Sequence, residues 1–184
     1  MQDYAAIGML EFTSIAAGIE ASDKMVKAAE VIPLFMKTVC PGKFLTAISG
    51  DLAAVDTSVR IGCQARPESV ADWFVIPNIH PEVVSALSGC CKLREQNALG
   101  VIETFSASSA VLAADAAAKT ASIQLIDVRT ALGLGGKGYV LLTGDVGAVQ
   151  AAVNAGAELA SEKALLVGVT VLPRPDPALF AQLM

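Results

Sequence analysis

Residues 6–12 read AIGMLEF and residues 98–104 read ALGVIET. Gly8 aligns with Gly100 and Glu11 with Glu103, at an offset of 92. The same offset pairs Asp23 with Asp115 and Lys27 with Lys119. Further along it grows to 94, where Gly50-Asp51 lies over Gly144-Asp145, Val55 over Val149 and Gly62 over Gly156. Near the ends it is 96, and VIPNIHPEVVSAL (75–87) lies over VLPRPDPALFAQL (171–183). Two insertions of two residues account for the shifts. A period sustained through a whole chain marks an internal duplication. The 184 residues therefore read as two copies of one unit, at 4–89 and 97–184, joined near 89–96.

Working outward from AIGMLEF, the first copy gives a regular order. The apolar run 6–12 is a strand. Thr13 or Ser14 is placed to cap a helix over about 15–29, because a hydroxyl at that point accepts from an orphan amide of the first turn. A second strand covers 31–39, and Pro33 makes it an edge strand or gives it an irregular start. A third covers 43–49, Asp51 caps a helix to about residue 64, and 73–76 form a fourth strand. Residues 81–87 are a short helix opened by Pro81. The second copy repeats the order. A βαββαβ order predicts a mixed α/β (α+β) fold, with two ferredoxin-like domains, each an antiparallel sheet with helices on one face.

Strands two and three of the first copy are joined by TVCPGKFL (38–45). Pro-Gly is turn chemistry, so Cys40 sits on or beside a tight loop. Its counterpart is TALGLGGKGYVLL (130–142), where Gly135, Gly136 and Lys137 lie over Pro41, Gly42 and Lys43 and no cysteine is present. GLGGKG (133–138) is not read as a phosphate cradle, because such a cradle opens a helix and here a strand follows.

Composition bounds the function. The chain is 54% hydrophobic but only 5% aromatic, with a mean hydropathy of +0.57. Such a surplus of small apolar residues predicts surface buried between subunits. No run reaches the roughly 20 apolar residues of a membrane span, and the N-terminus lacks the basic start of a secretory signal. A net charge of −5 without a basic stripe argues against nucleic acid. The four cysteines, Cys40, Cys63, Cys90 and Cys91, show no CxxC spacing and are expected as free thiols in a reducing cytoplasm. Cys63 falls late in a helix and reads as core, and Cys90-Cys91 lies in the join between copies. His80 is the single histidine, so no multi-histidine zinc site is available in one chain. It reads as a surface residue, and Glu11 and Glu103, being related by the repeat, read as structural rather than as an acid/base pair.

GxxE in the first strand, D-x-x-x-K in the first helix, the Gly-Lys loop, G-D-x-x-A-V and the closing Ile-Pro or Leu-Pro recur in both copies. Together they resemble the bacterial microcompartment (BMC) shell domain, and two in series resemble its tandem-domain, trimer-forming shell proteins. The likeness covers essentially the whole chain. It is strongest to the tandem shell proteins of propanediol-utilisation compartments, in LEFTSIAAGIEASDKMVKAA, KTVCPGKF, VIPNIHP, GGKG and VLPRP. The resemblance implies a homotrimer of pseudo-hexameric shape in the shell of a cytoplasmic microcompartment. It would tile edge to edge with other shell proteins around encapsulated enzymes, redox enzymes among them.

The resemblance also implies roles for particular residues. Cys40, one from each of three chains, would bind a 4Fe-4S cluster at the trimer axis for electron transfer across the shell. Pro41, Gly42, Lys43, Gly135, Gly136 and Lys137 would line the central pore. Lys27, Lys119 and Arg174 would lie at the shell edge, with Asn78 replacing the arginine in the first copy. Read from the residues alone, Cys40 is an ordinary buried or pore-lining thiol and the two lysines belong to solvated helix faces. A metal-free tile or metabolite channel therefore stands as an alternative. A cytoplasmic enzyme or small-molecule sensor on the same duplicated fold stands behind it.

Overall fold

A computed structural model of the chain describes residues 5–89, 91, 93, 97–130 and 133–183. The expected domain limits at positions 4 and 184, and Cys90, lie outside the described residues. The elements of the first copy are β1 (Ala6–Phe12), α1 (Ile15–Ala28), β2 (Ile32–Val39), β3 (Lys43–Gly50), α2 (Leu52–Ala65), β4 (Val70–Pro77) and α3 (Pro81–Leu87). Those of the second are β5 (Ala98–Thr104), α4 (Ala107–Thr120), β6 (Gln124–Thr130), β7 (Gly138–Gly144), α5 (Val146–Glu162), β8 (Leu166–Leu172) and α6 (Pro177–Leu183). The described strands form two four-stranded sheets, ordered β2-β3-β1-β4 and β6-β7-β5-β8. Every neighbouring pair is antiparallel. The ferredoxin-like reading of the repeat thus holds in both copies.

Local signals explain most boundaries. Ser14 caps α1, its Oγ accepting from the Ala17 N–H at 3.3 Å, and Ser106 does the same for α4 through the Ser109 N–H at 3.1 Å. Asp51 and Asp145 occupy the N-cap positions of α2 and α5, but their side chains make no capping bond. Each still places a carboxylate at the positive end of a helix dipole. Pro33 lies on the edge strand β2, where the register with β3 shifts between Pro33 and Phe35. That is where a residue without an amide hydrogen is tolerated. The fourth strand is longer than the expected 73–76, because Val70 to Asp72 also pair with β1.

In the first sheet the even-numbered positions of β1 and β3 face the helices. Leu10, Phe12, Phe44 and Ile48 pack there with Ala21 and Met25 of α1 and Val55 and Val59 of α2. The Ser22 and Thr46 hydroxyls hydrogen-bond each other inside this layer. In the second sheet the short helix α6 adds cover to the opposite face, where Phe180 packs with Leu99, Ile126 and Leu141.

The compact units cut across the repeat. One contains the chain through Pro81 together with the loop ending at Gly136, and the other contains residues from Glu82 to Thr130 and from Lys137 onward. Helix α3 therefore belongs with the second sheet, where the Glu82 carboxylate accepts from the Leu125 N–H at 3.0 Å. The glycine loop of the second copy belongs with the first sheet.

Both central strands carry a glycine under their second helix. A Cβ on Gly8 would stand 2.5 Å from Val59 Cγ2 and 2.7 Å from Val55 Cγ1, and one on Gly100 would stand 2.7 Å from Val153 Cγ2 and 2.9 Å from Val149 Cγ1. Both sites are packed without room for a methyl group. Gly8→Ala and Gly100→Ala should each destabilise the chain by about 1–3 kcal/mol through overpacking. In urea titrations the midpoint should fall with an unchanged slope.

Candidate functional site

The β2–β3 hairpin presents Cys40. Val39 pairs with Lys43 at its open end, leaving Cys40, Pro41 and Gly42 to turn the chain. Gly42 has a φ of 70° and the Cys40–Pro41 peptide is cis. Val39 is buried, Cys40 is half-buried, and Pro41 and Gly42 are exposed. The thiol thus stands at the edge of the core on a short loop, as the Pro-Gly dipeptide led us to expect.

The loop 133–136 meets this hairpin within the same compact unit. Gly133 and Gly135 are exposed, whereas Gly136 is buried. A Cβ on Gly136 would stand 3.3 Å from Pro41 Cδ and 3.7 Å from the Cys40 carbonyl oxygen. Its φ of 94° lies in the left-handed region, which side chains disfavour.

Lys43 and Lys137 each turn to a glutamate of their own sheet. Lys43 Nζ is 2.7 Å from Glu11 Oε1, and Lys137 Nζ is 2.9 Å from Glu103 Oε1. The equivalent pairs differ in depth. Glu11 is 2% exposed and its Oε2 is buried without a partner in the chain, while the Glu103 side chain is 41% exposed. Sequence reading marked all four residues but missed that they pair. The signal was available, since both the glutamate and the lysine recur in the repeat.

The other candidates lie elsewhere. Lys27 and Lys119 each close an i,i+4 ion pair, with Asp23 and Asp115, at 2.6 Å in both cases. The Lys27 pair is on an open helix face, but Asp115 is buried. Arg174 is exposed and lines a hollow of about 350 Å³ with Asn97, Gly144, Asp145 and Pro173. Cys63 is half-buried on α2, packed against the first core, and burial pushes its thiol pKa up. That disfavours the thiolate a metal needs. Cys91 is also half-buried, beside Asp127 and Arg129. His80 is half-buried just before α3.

Among the described residues no group of three or more His, Cys, Asp or Glu side chains is placed to hold a metal ion. Among the described residues no helix is long and apolar enough to cross a membrane.

Comparison with known proteins fits this geometry. The BMC domain family matches twice, over residues 6–79 and 98–175. The chain is 43% identical over 179 residues to the bacterial microcompartment shell protein PduT of Citrobacter freundii, covering 97% of each chain. It is 42% identical over 83 residues to the shell protein PduA of the same organism, covering 44% of this chain and 85% of PduA. A crystal structure of a microcompartment protein from Desulfitobacterium hafniense superimposes with a TM-score of 0.91 at 49% identity, over 96% of this chain and 98% of that one. This chain belongs to the BMC-domain family of bacterial microcompartment shell proteins and carries the domain in two tandem copies.

Proposed function

We propose that the chain is a structural, non-catalytic shell tile that assembles as a homotrimer, with domains at 4–89 and 97–184. The observation that carries the trimer is an inequality between equivalent helices. Ile15, Ala16, Ile19 and Asp23 of α1 are exposed, whereas their counterparts on α4, Ala107, Ser108, Val111 and Asp115, are buried. Ile19 alone is 55% exposed, against 0% for Val111. A duplicated domain that buries this face in one copy has a matching face open in the other. A second chain seated on the open α1 face would bury it, and three chains close such contacts into a ring. Burial of an isoleucine side chain contributes about 1.5–3 kcal/mol, enough to matter at each of three interfaces.

In that ring the hairpin loops 40–43 and 135–137 line the pore. Cys40 then appears three times around the axis, each thiol on a short loop and half-exposed. Three thiolates match the preference of iron–sulfur clusters for cysteine and fill three of the four positions a cubane cluster takes. A bound 4Fe-4S cluster would supply a one-electron couple at the pore, for exchange with redox enzymes inside the compartment. The chain holds the thiolates in place and keeps side chains away from the axis through the glycines of the second loop. Lys27, Lys119 and Arg174, on exposed surface, make the edge contacts to neighbouring tiles.

Three experiments test these assignments. Sedimentation equilibrium should give three chain masses for the wild type. Ile19→Asp should give a folded monomer by circular dichroism, and a persisting trimer would remove α1 from the interface. Lys27→Ala combined with Lys119→Ala should leave the trimer intact but impair its two-dimensional sheets in electron micrographs. Surface substitutions of this kind shift stability by no more than about 0.5 kcal/mol. Cys40→Ser should abolish iron and sulfide binding after anaerobic reconstitution without unfolding the trimer, because a serine hydroxyl is a poor substitute for a thiolate. Cys63→Ser and Cys91→Ser should retain both. Equal iron in Cys40→Ser and wild type would exclude the pore thiols, and none in the wild type would favour the metal-free channel.

A further inference from the structure

We propose that Gly136 is a positioning residue for Cys40, and that the glycine loop of the second copy holds the thiol-bearing hairpin of the first. Three observations converge on it. The hairpin loop has only three residues between its strands, and two of them, Pro41 and Gly42, are exposed. A Cβ on Gly42 would have no neighbour within 4 Å. The hairpin tip thus gains little support from its own side chains. The 133–136 loop supplies support from outside, and only one of its glycines does so. Cβ atoms on Gly133 or Gly135 would likewise have no neighbour within 4 Å, whereas one on Gly136 would press on Pro41 Cδ at 3.3 Å with the Cys40 carbonyl at 3.7 Å. Gly136 is also buried and held at φ 94°. Any side chain at Gly136 would crowd the Cys40–Pro41 step.

The consequence is a division of labour between the two copies. The first copy supplies the sulfur and the second supplies the surface that fixes where the sulfur points. A metal centre tolerates misplacement of its ligands by only about half an ångström. A hairpin tip with a second loop packed beside it meets that demand better than a free one.

The contact can be probed from both sides, in a chain whose only remaining cysteine is Cys40 (Cys63→Ser, Cys90→Ser, Cys91→Ser). The first readout is the rate of iodoacetamide alkylation of Cys40 in metal-free protein, which reports loop order whether or not a cluster ever binds. Gly136→Ala should raise that rate about fivefold, the effect of a small bias in a loop equilibrium. Gly133→Ala also places a side chain at positive φ (73°, against 94° at Gly136) but meets no neighbour, and it should stay within about twofold of the parent, as expected for a site with no shared partner. Pro41→Ala removes the contact from the other side, and its rate should rise as well; it decides the question if Gly136→Ala does not assemble. The second readout is iron and sulfide content after anaerobic reconstitution with ferrous iron and sulfide, expected to fall below about half in Gly136→Ala. This second readout rests on the pore reading above and fails with it, whereas the alkylation rate does not. Equal alkylation rates in Gly136→Ala, Pro41→Ala and Gly133→Ala would overturn the proposal.

Discussion

Each domain is organised around a missing side chain on its central strand. Gly8 sits under Val55 and Val59, and Gly100 under Val149 and Val153, at distances that leave no room for a Cβ. Close approach of the second helix to the sheet sets the depth of the whole apolar layer, because interiors are packed to crystal-like density and cannot absorb an extra methyl group. With α2 seated on β1, the remaining strands have fixed places. β3 and β4 flank β1, and β2 is left at the edge. The β2–β3 hairpin then projects its loop from the sheet, and that loop carries Cys40.

Duplication preserved this architecture and let the surfaces diverge. The i,i+4 pairs Asp23–Lys27 and Asp115–Lys119 have the same length, yet one is solvated and the other has a buried carboxylate. The glutamate–lysine pairs at the base of the hairpin loops diverge in the opposite sense. Glu11 is deeply buried, and Glu103 is half-exposed. Removing Lys43 would leave the buried Glu11 carboxylate without its ion-pair partner, a costlier loss than at the open Glu103. The two copies therefore keep the same polar anchor at different energetic stakes.

Much of the fold was legible in the sequence because duplication tests a reading twice. A strand ending at Phe12, a cap at Thr13 or Ser14 and a bend at Pro41-Gly42 each carry a local chemical signature, and the structure places the strand and the bend as read and settles the cap on Ser14. What was not legible depends on partners distant in sequence. Lys43 finds Glu11 across 32 residues, and α3 belongs with the sheet of the other copy, which no periodicity records. Asp51 has the right residue type for a cap but does not bond the helix, since residue type cannot specify a rotamer. Of the site, Cys40 and its loop were legible, whereas the burial of Gly136 was not. Three glycines in one short loop look alike until one of them is found against a neighbour.

One hairpin-loop cysteine per duplicated chain, Cys40, fits the stoichiometry of the proposed symmetry axis. Six identical domains in a ring would present six copies of every loop residue. Fusing two domains and letting them diverge halves that number, so the proposed trimer offers three thiols and three glycine-rich loops in alternation. A cubane cluster takes four ligands, so in the proposed trimer three thiolates would hold it and leave the fourth position to water, a small ligand or a partner. Six thiols around the same axis would compete for one cluster and leave spare thiolates to oxidise or cross-link. The second loop needs no side chain of its own, and glycine at its positive-φ positions lets its backbone occupy the space beside the first. Gene fusion at this fold thus does more than join two tiles: in the proposed trimer it lowers the symmetry of the pore from sixfold to threefold.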